Sequence, residues 1–270
     1  MQKNLLKLIL VLVVISFVAV PYVILAPERA REKAEEERLF KEEIARTTAE
    51  KKTYLLGKFD PSVWPDFVQI PFEYTVARTK MYLRKETYAS YEKMRNEALK
   101  SDIILNIASA ARNFDYQKML WNNKWNGITL VEGQKLPEIF PDELERFRKI
   151  LEYSAAPGTS RHHWGTDIDI NGADSIYFDS EKGQKEYAWL HQNAWKFGFC
   201  QTYDQKGPNR ASGYNEEKWH WSYLPLSVNF TEEYKNLIKE EDIKGFLGEE
   251  YVPSFNLINN YVLSINPDCV

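Results

Sequence analysis

The sequence SRHHWGTDID at residues 160–169, with EKWH at residues 217–220, decides how this chain is interpreted. Three of the four histidines lie in these two segments. Two histidines and one aspartate can bind a divalent cation and leave a coordination position for water, which is typical of a catalytic zinc site. A further carboxylate can then transfer protons to and from that water. The sequence therefore predicts a catalytic metal site assembled from two distant segments.

The alternation of polar and apolar residues in the first segment favours a half-buried strand. On an extended chain at 166–170, Asp167 and Asp169 project to one face, and the isoleucines between and after them project toward the core. His162 lies on the loop side of this strand, where the chain can fold back and bring its imidazole to Asp169. His163 would then point elsewhere, which favours a packing role over metal ligation.

The second segment requires an irregular backbone. Glu217 and His220 are three residues apart and would point to opposite faces of a flat strand. Both can serve one ion if the chain bends or bulges between them, or if Glu217 still belongs to the preceding loop. Gly213 and Asn215 just upstream favour the loop. Glu216 competes with Glu217 for the role of base, and the three-residue offset to His220 favours Glu217.

These patterns resemble a known family. Ser-x-His-x-x-Gly-x-x-x-Asp at 160–169 and Glu-x-Trp-His at 217–220 resemble the zinc D-alanyl-D-alanine carboxypeptidases of the VanY and LdcB type, which have the hedgehog/DD-peptidase fold. Ser-Ala-Ala-Arg at 109–112, followed by Gln117, resembles that family's Ser-x-x-Arg…Gln segment. The resemblance extends over about 54–224. Asp167 is a departure, since the family commonly has Ala at this position.

The resemblance implies a role for each candidate residue. The implied ligands of one zinc ion per chain are His162, Asp169 and His220. Glu217 is implied as the general base, and Arg112 as the group that stabilises the oxyanion or binds the terminal carboxylate of the substrate. The implied substrate-binding residues are Ser109, Arg112, Gln117 and Ser160.

The resemblance also implies a reaction, namely removal of the C-terminal D-amino acid, D-Ala, from peptidoglycan stem peptides. D,D- and L,D-specificity both stay open at this point. One alternative is an endopeptidase that cuts inside the stem or cross-bridge with the same zinc chemistry. Another is a zinc-stabilised wall-binding module without turnover, although a structural site has no need of a base such as Glu217.

The N-terminal region differs in composition from the rest. An uncharged apolar run at 8–26 follows two lysines, so residues 1–26 are predicted to be a signal anchor that spans the cytoplasmic membrane, with a cleaved signal peptide as the alternative. Residues 27–52 are dense in Glu, Lys, Arg and Ala and predict a solvated helical stalk. The peptidase domain is assigned to 53–270 and would face the periplasm or wall of a bacterial envelope.

The remaining pattern predicts an α+β fold with a small antiparallel sheet flanked by helices. The predicted helices are 74–99, 114–121, 142–153 and 182–196, and the predicted strands are 103–108, 167–170, one within 197–203, and 219–223. A net charge of −4 without a basic stretch argues against nucleic-acid binding. Cys200 and Cys269 could form a disulfide or stay as two thiols.

Overall fold

A computed structural model describes residue 29 and residues 31–270, and the chain divides into two compact units between Glu50 and Lys51. In the first unit, residues 31–50 are helical and almost entirely solvent-exposed. The predicted membrane anchor at 1–26 lies outside the described residues. Among the residues that are described, none forms a helix both long and apolar enough to cross a bilayer.

Among the described residues, the second unit begins with helical residues 51–55 and then contains six short strands and eight further α-helices. Its strands are β1 (Phe67–Gln69), β2 (Tyr82–Arg84), β3 (Ile107–Ser109), β4 (Asp167–Ile170), β5 (Phe199–Gln201) and β6 (His220–Tyr223). Its helices are α1 (Lys85–Leu99), α2 (Phe114–Trp125), α3 (Leu136–Ile139), α4 (Glu143–Ile150), α5 (Ser175–Asp179), α6 (Glu181–Asn193), α7 (Leu224–Leu237) and α8 (Val252–Phe255). Short antiparallel sheets combined with helices confirm the predicted α+β class.

The larger sheet has the strand order β3-β4-β6-β5, and every neighbouring pair is antiparallel. In the pairing of β4 with β6, Asp169 is opposite His220 and Asp167 is opposite Ser222. Directly opposed residues of an antiparallel pair have neighbouring side chains on one face. The sheet therefore brings the two histidine-containing segments together.

One face of this sheet packs against an apolar core, and buried polar side chains cover the other. Ile168 and Ile170 pack with residues of α1 and α6, such as Met94 and Leu190, which confirms that the isoleucines face a core. The prediction that this strand is half-buried was wrong, because all four residues of β4 are buried. The aspartate face is covered as well, since Arg161 contacts Asp167 there and reaches α7.

The N-terminal half of the domain differs most from the predicted elements. The helix predicted at 74–99 begins only at Lys85, because Tyr82–Arg84 pair with β1 instead. The strand predicted at 103–108 is shorter and later, at Ile107–Ser109.

The strand predicted at Asp167–Ile170 has those bounds in the structure. The helices predicted at 114–121, 142–153 and 182–196 are present as α2, α4 and α6 with shifted ends.

The two cysteines form a disulfide. The Cα atoms of Cys200 and Cys269 are 5.6 Å apart, and their sulfur atoms are bonded. Cys200 lies in the middle of β5, so this bond attaches the C-terminal end of the chain to the edge strand of the larger sheet.

Gly57 allows the N-terminal part of the domain to pack on the first histidine segment. Its φ of +72° is in the left-handed region, and a Cβ at this position would lie 2.4 Å from the His163 ring. Its carbonyl accepts the Phe114 N–H at 2.7 Å, at the start of α2. Only glycine combines this backbone angle with so close an approach.

We therefore expect Gly57→Ala to lower the free energy of unfolding by roughly 2–4 kcal/mol, through the positive φ and the clash with His163. Gly133→Ala is the matched control, because Gly133 has a similar φ of +78° but no atom within 4 Å of the added Cβ. Its cost should be about 1 kcal/mol. Chemical denaturation of both variants measures the difference, and equal losses would show that the His163 contact does not matter.

Candidate metal centre and its cavity

Three buried side chains converge at the edge where β4 and β6 pair. His162 lies in a short 3-10 segment (Arg161–Trp164), Asp169 on β4 and His220 at the start of β6. One potential ligand atom from each lies within 4.8 Å of the other two. The structure thus brings together all three residues that the sequence predicted as ligands.

The hydrogen bond of His162 to the backbone sets the orientation of its ring. Its Nδ1 lies 2.9 Å from the Ala110 carbonyl oxygen and can only donate to it, which leaves a lone pair on Nε2. That Nε2 lies 3.3 Å from Asp169 Oδ1. Within the described part of the chain, neither of these two buried atoms has a hydrogen-bond partner.

His220 presents its other nitrogen to the same point. Its Nδ1 lies 3.5 Å from Asp169 Oδ1 and 3.0 Å from Glu217 Oε2, whereas its Nε2 lies 3.0 Å from Asp167 Oδ1. The imidazole is therefore held from both sides. Burial lowers the pKa of His220, but the neighbouring carboxylates outweigh this effect and raise it to about 9.

This donor set fits a zinc ion. Two imidazole nitrogens and one carboxylate oxygen are ligands that zinc accepts in catalytic sites. Leaving a buried donor or acceptor without a partner is costly, typically about 1–3 kcal/mol for each group. His162 Nε2 and Asp169 Oδ1 are two such atoms and face each other, so a cation between them would satisfy both.

Glu217 lies in the loop before β6, as the sequence predicted. Its carbonyl oxygen accepts the His220 N–H at 3.2 Å, so the chain turns between the two residues and both side chains reach the same side. Burial raises the pKa of the Glu217 carboxyl, and the bond with His220 partly opposes this. Glu216, the competing candidate, lines a different cavity with Tyr187.

A cavity opens beside the three converging side chains. Of the four residues predicted to bind substrate, Arg112, Gln117 and Ser160 line this cavity. Ser109 does not line it. It lies on β3, where its backbone is paired opposite Asp169, and the chain reaches the cavity only three residues later at Arg112.

His163 supports the cavity from behind, which agrees with the predicted packing role. Its Nδ1 donates to the Arg112 carbonyl oxygen at 2.6 Å, and its Nε2 accepts the Gly158 N–H at 3.1 Å. Burial lowers the pKa of His163 to about 3, so the ring stays neutral and keeps this pattern of one donor and one acceptor. Both of its nitrogens are used, and the ring anchors the backbone of Arg112.

Lys124 is a functional candidate that the sequence analysis missed. It lines the cavity from α2, and its ammonium group contacts the Ser154 hydroxyl. Burial, together with the charge of Arg112, lowers the pKa of Lys124 to about 8. A spacing of seven residues places Gln117 and Lys124 on one helical face, and this signal could have identified Lys124.

Comparison with known proteins identifies similar sequences. A family model described as VanY, D-alanyl-D-alanine carboxypeptidase, matches residues 80–226. One relative is YodJ of Bacillus subtilis (strain 168), which is named as a candidate carboxypeptidase. It is 30% identical to this chain over 178 residues, which are 64% of this chain and 58% of YodJ. A D-alanyl-D-alanine carboxypeptidase of Enterococcus faecium is 26% identical over 180 residues, which are 66% of this chain and 48% of that protein. This chain thus spans about half the length of these curated relatives.

Solved structures of similarly named enzymes match part of this chain. The LdcB LD-carboxypeptidase matches with a TM-score of 0.46 and 25% identity, over 68% of this chain and 81% of LdcB. A vancomycin-resistance D,D-pentapeptidase VanY variant, solved in complex with Zn(II), matches with a TM-score of 0.44 and 21% identity, over 65% of this chain and 94% of that one.

The geometry predicts that His162→Ala weakens zinc binding by more than about 100-fold, because it removes a ligand and not merely a supporting residue. His191→Ala is the matched control, since His191 is an exposed histidine on α6, outside the cluster. Competition with a chromogenic chelator gives the dissociation constants. The assigned ligand set is wrong if both variants hold zinc as tightly as the unmodified protein.

Proposed function

This chain belongs to the VanY family of D-alanyl-D-alanine carboxypeptidases, and from that premise we propose that it is a zinc-dependent carboxypeptidase. Its substrate would be a peptidoglycan stem peptide, from which it removes the C-terminal D-amino acid. The observation that carries this proposal is the position of the Glu217 carboxylate beside the His162–Asp169–His220 cluster, in a cavity that Arg112 and Lys124 also line.

His162, Asp169 and His220 would hold the ion. A zinc ion at this site would supply Lewis acidity and a water whose pKa is lowered toward neutrality. Glu217 would accept the proton of the attacking water on its carboxylate and then donate it to the departing amine. Burial favours this role, because a raised carboxyl pKa lies closer to neutrality and suits both proton transfers.

Arg112 and Lys124 would each bind a different negatively charged group of the reacting substrate. Arg112 lies close enough to His162, Asp169 and Glu217 for its charge to shift their pKa values, so it would face a carbonyl bound at the metal. It would stabilise the developing oxyanion. Lys124 lines the same cavity, where the charges of Arg112 and Glu217 affect its pKa, and it would bind the terminal carboxylate.

Gln117 and Ser160 would complete the recognition of the peptide. Gln117 donates its side-chain N–H to the Ala155 carbonyl oxygen at 2.7 Å, which fixes the amide group in one orientation. Its Oε1 is buried without a partner in the described residues and would accept an N–H of the substrate. The Ser160 hydroxyl would bind the substrate at the start of the first histidine segment.

The site of action would be the bacterial cell envelope, with the domain outside the cytoplasmic membrane. The disulfide between Cys200 and Cys269 supports an oxidising compartment. The uncharged apolar run at 8–26 supports an anchor or an export signal before a peptidase domain of the hedgehog/DD-peptidase type.

Glu217→Gln should retain zinc and lose activity by about 10²–10⁴-fold, because the amide keeps the shape of the side chain but cannot accept the proton. Release of D-alanine from a pentapeptide stem measures turnover, and metal analysis of the same sample measures zinc. Glu216→Gln is the control, since Glu216 faces another cavity. Full activity in Glu217→Gln would contradict the assigned base.

A tetrapeptide stem tested beside the pentapeptide separates the possible specificities. Release from the pentapeptide alone would indicate D,D-specificity, and release from the tetrapeptide alone would indicate L,D-specificity. Cleavage inside the stem, without release of the terminal residue, would contradict a carboxypeptidase.

Lys124→Met should raise KM for a substrate with a free terminal carboxylate by roughly tenfold or more, since a charge-assisted bond contributes about 1.5–3 kcal/mol. A substrate with a terminal amide should be affected little. Lys118→Met is the matched control, because Lys118 is on the same helix and does not line the cavity. Equal losses for the carboxylate and amide substrates would show that Lys124 does not recognise the carboxylate.

A further inference from the structure

Asp167 lies next to the candidate metal site, but it is not one of the three proposed ligands. It lies two residues before Asp169 on β4, and both aspartates project to the same face of the strand. Its side chain is completely buried. A buried carboxylate needs several partners to offset its lost hydration, so its contacts indicate what it does.

Four donors surround the Asp167 carboxylate. Its Oδ1 accepts from His220 Nε2 at 3.0 Å and from Arg161 Nε at 3.2 Å. Its Oδ2 accepts from the hydroxyl groups of Thr166 at 2.5 Å and Ser222 at 3.0 Å. Both oxygens are thus fully used, and one of these bonds goes directly to a proposed metal ligand.

Arg161 keeps this carboxylate ionised. Its guanidinium group is itself buried and donates to Thr231 Oγ1 at 2.8 Å and to Ser222 Oγ at 3.1 Å, and it lies 4.6 Å from the centre of the Trp164 ring. Arg161 Nε and Asp167 Oδ1 are 3.2 Å apart and both side chains are fully buried, so the guanidinium group compensates the charge of the carboxylate.

An ionised carboxylate can only accept hydrogen bonds, so the His220 nitrogen that faces it must carry a hydrogen. In a neutral imidazole the second nitrogen then has the lone pair. That second nitrogen is Nδ1, which lies 3.0 Å from Glu217 Oε2 and 3.5 Å from Asp169 Oδ1, on the side where the three proposed ligands converge. Without a cation Nδ1 can donate to these carboxylates, and with a cation it is the nitrogen that would offer its lone pair.

We propose that Asp167 is a positioning residue that holds His220 in the tautomer and ring orientation needed for metal binding, with Arg161 as its dedicated counter-ion. This inference rests on the metal site of the proposed function. A carboxylate bonded to the outer nitrogen of a metal-binding histidine raises ligand affinity, and its loss typically costs about 10–100-fold in metal binding.

Arg161 and Asp167 act as one unit, which determines how the proposal is tested. Removing one partner of a buried ion pair leaves an uncompensated charge and costs about 3–5 kcal/mol, whereas replacing both by apolar groups is often neutral. The double variant Arg161→Met/Asp167→Ala therefore removes the bond to His220 without leaving a buried charge.

The double variant should bind zinc about 10–100-fold more weakly than the unmodified protein in a chelator competition. Nitrogen-15 NMR of the His220 ring, recorded on the zinc-free protein at about pH 10, where the ring is neutral, and assigned with His220→Ala, should show that a single tautomer becomes a mixture. A merely structural role for the pair would lower the melting temperature and leave both of these readouts unchanged.

Glu186→Gln is the matched control, since Glu186 is a buried carboxylate bonded to the Tyr177 hydroxyl at 2.6 Å and lines no part of the metal-site cavity. It should reduce stability without changing zinc affinity. If the double variant does not fold, Asp167→Asn takes its place, because it keeps the volume and removes the charge that dictates the tautomer. A loss of about tenfold is then expected.

The outcomes separate this inference from the proposed function. If the unmodified protein does not bind zinc, the proposed metal site itself fails. If it binds zinc, and the folded Asp167 variant binds it equally well with an unchanged His220 tautomer, then only the positioning role is overturned.

Discussion

Backbone pairing between β4 and β6 holds the two halves of the candidate site together. Asp169 and His220 are far apart in the sequence, and they are neighbours because the register places them opposite each other. The same register pairs Ile168 with Trp221, which points into the core on the opposite face. A slip of one residue would move the aspartates into that apolar core, so core packing also fixes the geometry of the site.

The site concentrates unsatisfied polar atoms around one cavity. His162 Nε2, Asp169 Oδ1, Arg112 Nε and Gln117 Oε1 are all buried without hydrogen-bond partners among the residues described. The first two face each other, and all four residues line the same cavity. Each such atom carries a cost in stability that a ligand can recover. The fold outside the cavity therefore stabilises an arrangement in which these four atoms are directed toward a bound molecule and not toward protein partners.

The sequence was sufficient for the parts of the site that depend on local spacing. The strand at Asp167–Ile170 was predicted from the alternation of polar and apolar residues. Glu217 was placed in a loop because Glu217 and His220, three residues apart, would point to opposite faces of a flat strand. The N-terminal strands were missed because a strand of three residues, such as Tyr82–Arg84, is too short to show a period of two. It also continues directly into α1, so its apolar residues fitted a helical pattern.

Features that depend on contacts between distant residues could not be obtained in this way. The pairing of Cys200 with Cys269 depends on how the C-terminal end returns to β5. The role of Asp167 depends on Arg161, only six residues earlier, yet nothing in their spacing shows that both side chains are buried together under α7. The sequence identified Asp167 as unusual, and only the fold shows which groups compensate its charge.

The charges of the site follow a simple division. Three cationic side chains, Arg112, Lys124 and Arg161, lie close to three carboxylates, Asp167, Asp169 and Glu217. Asp167 and Arg161 neutralise each other as a buried ion pair, in which only Arg161 also lines the cavity. In the proposed function, Asp169 and Glu217 would balance a divalent cation, while Arg112 and Lys124 would balance the oxyanion and the terminal carboxylate of a peptide. With both metal and substrate bound, no buried charge at the site would be left without an opposite charge. The separate Asp167–Arg161 pair matters for this balance. Without Arg161, the Asp167 carboxylate would attract the cationic groups that the reaction requires.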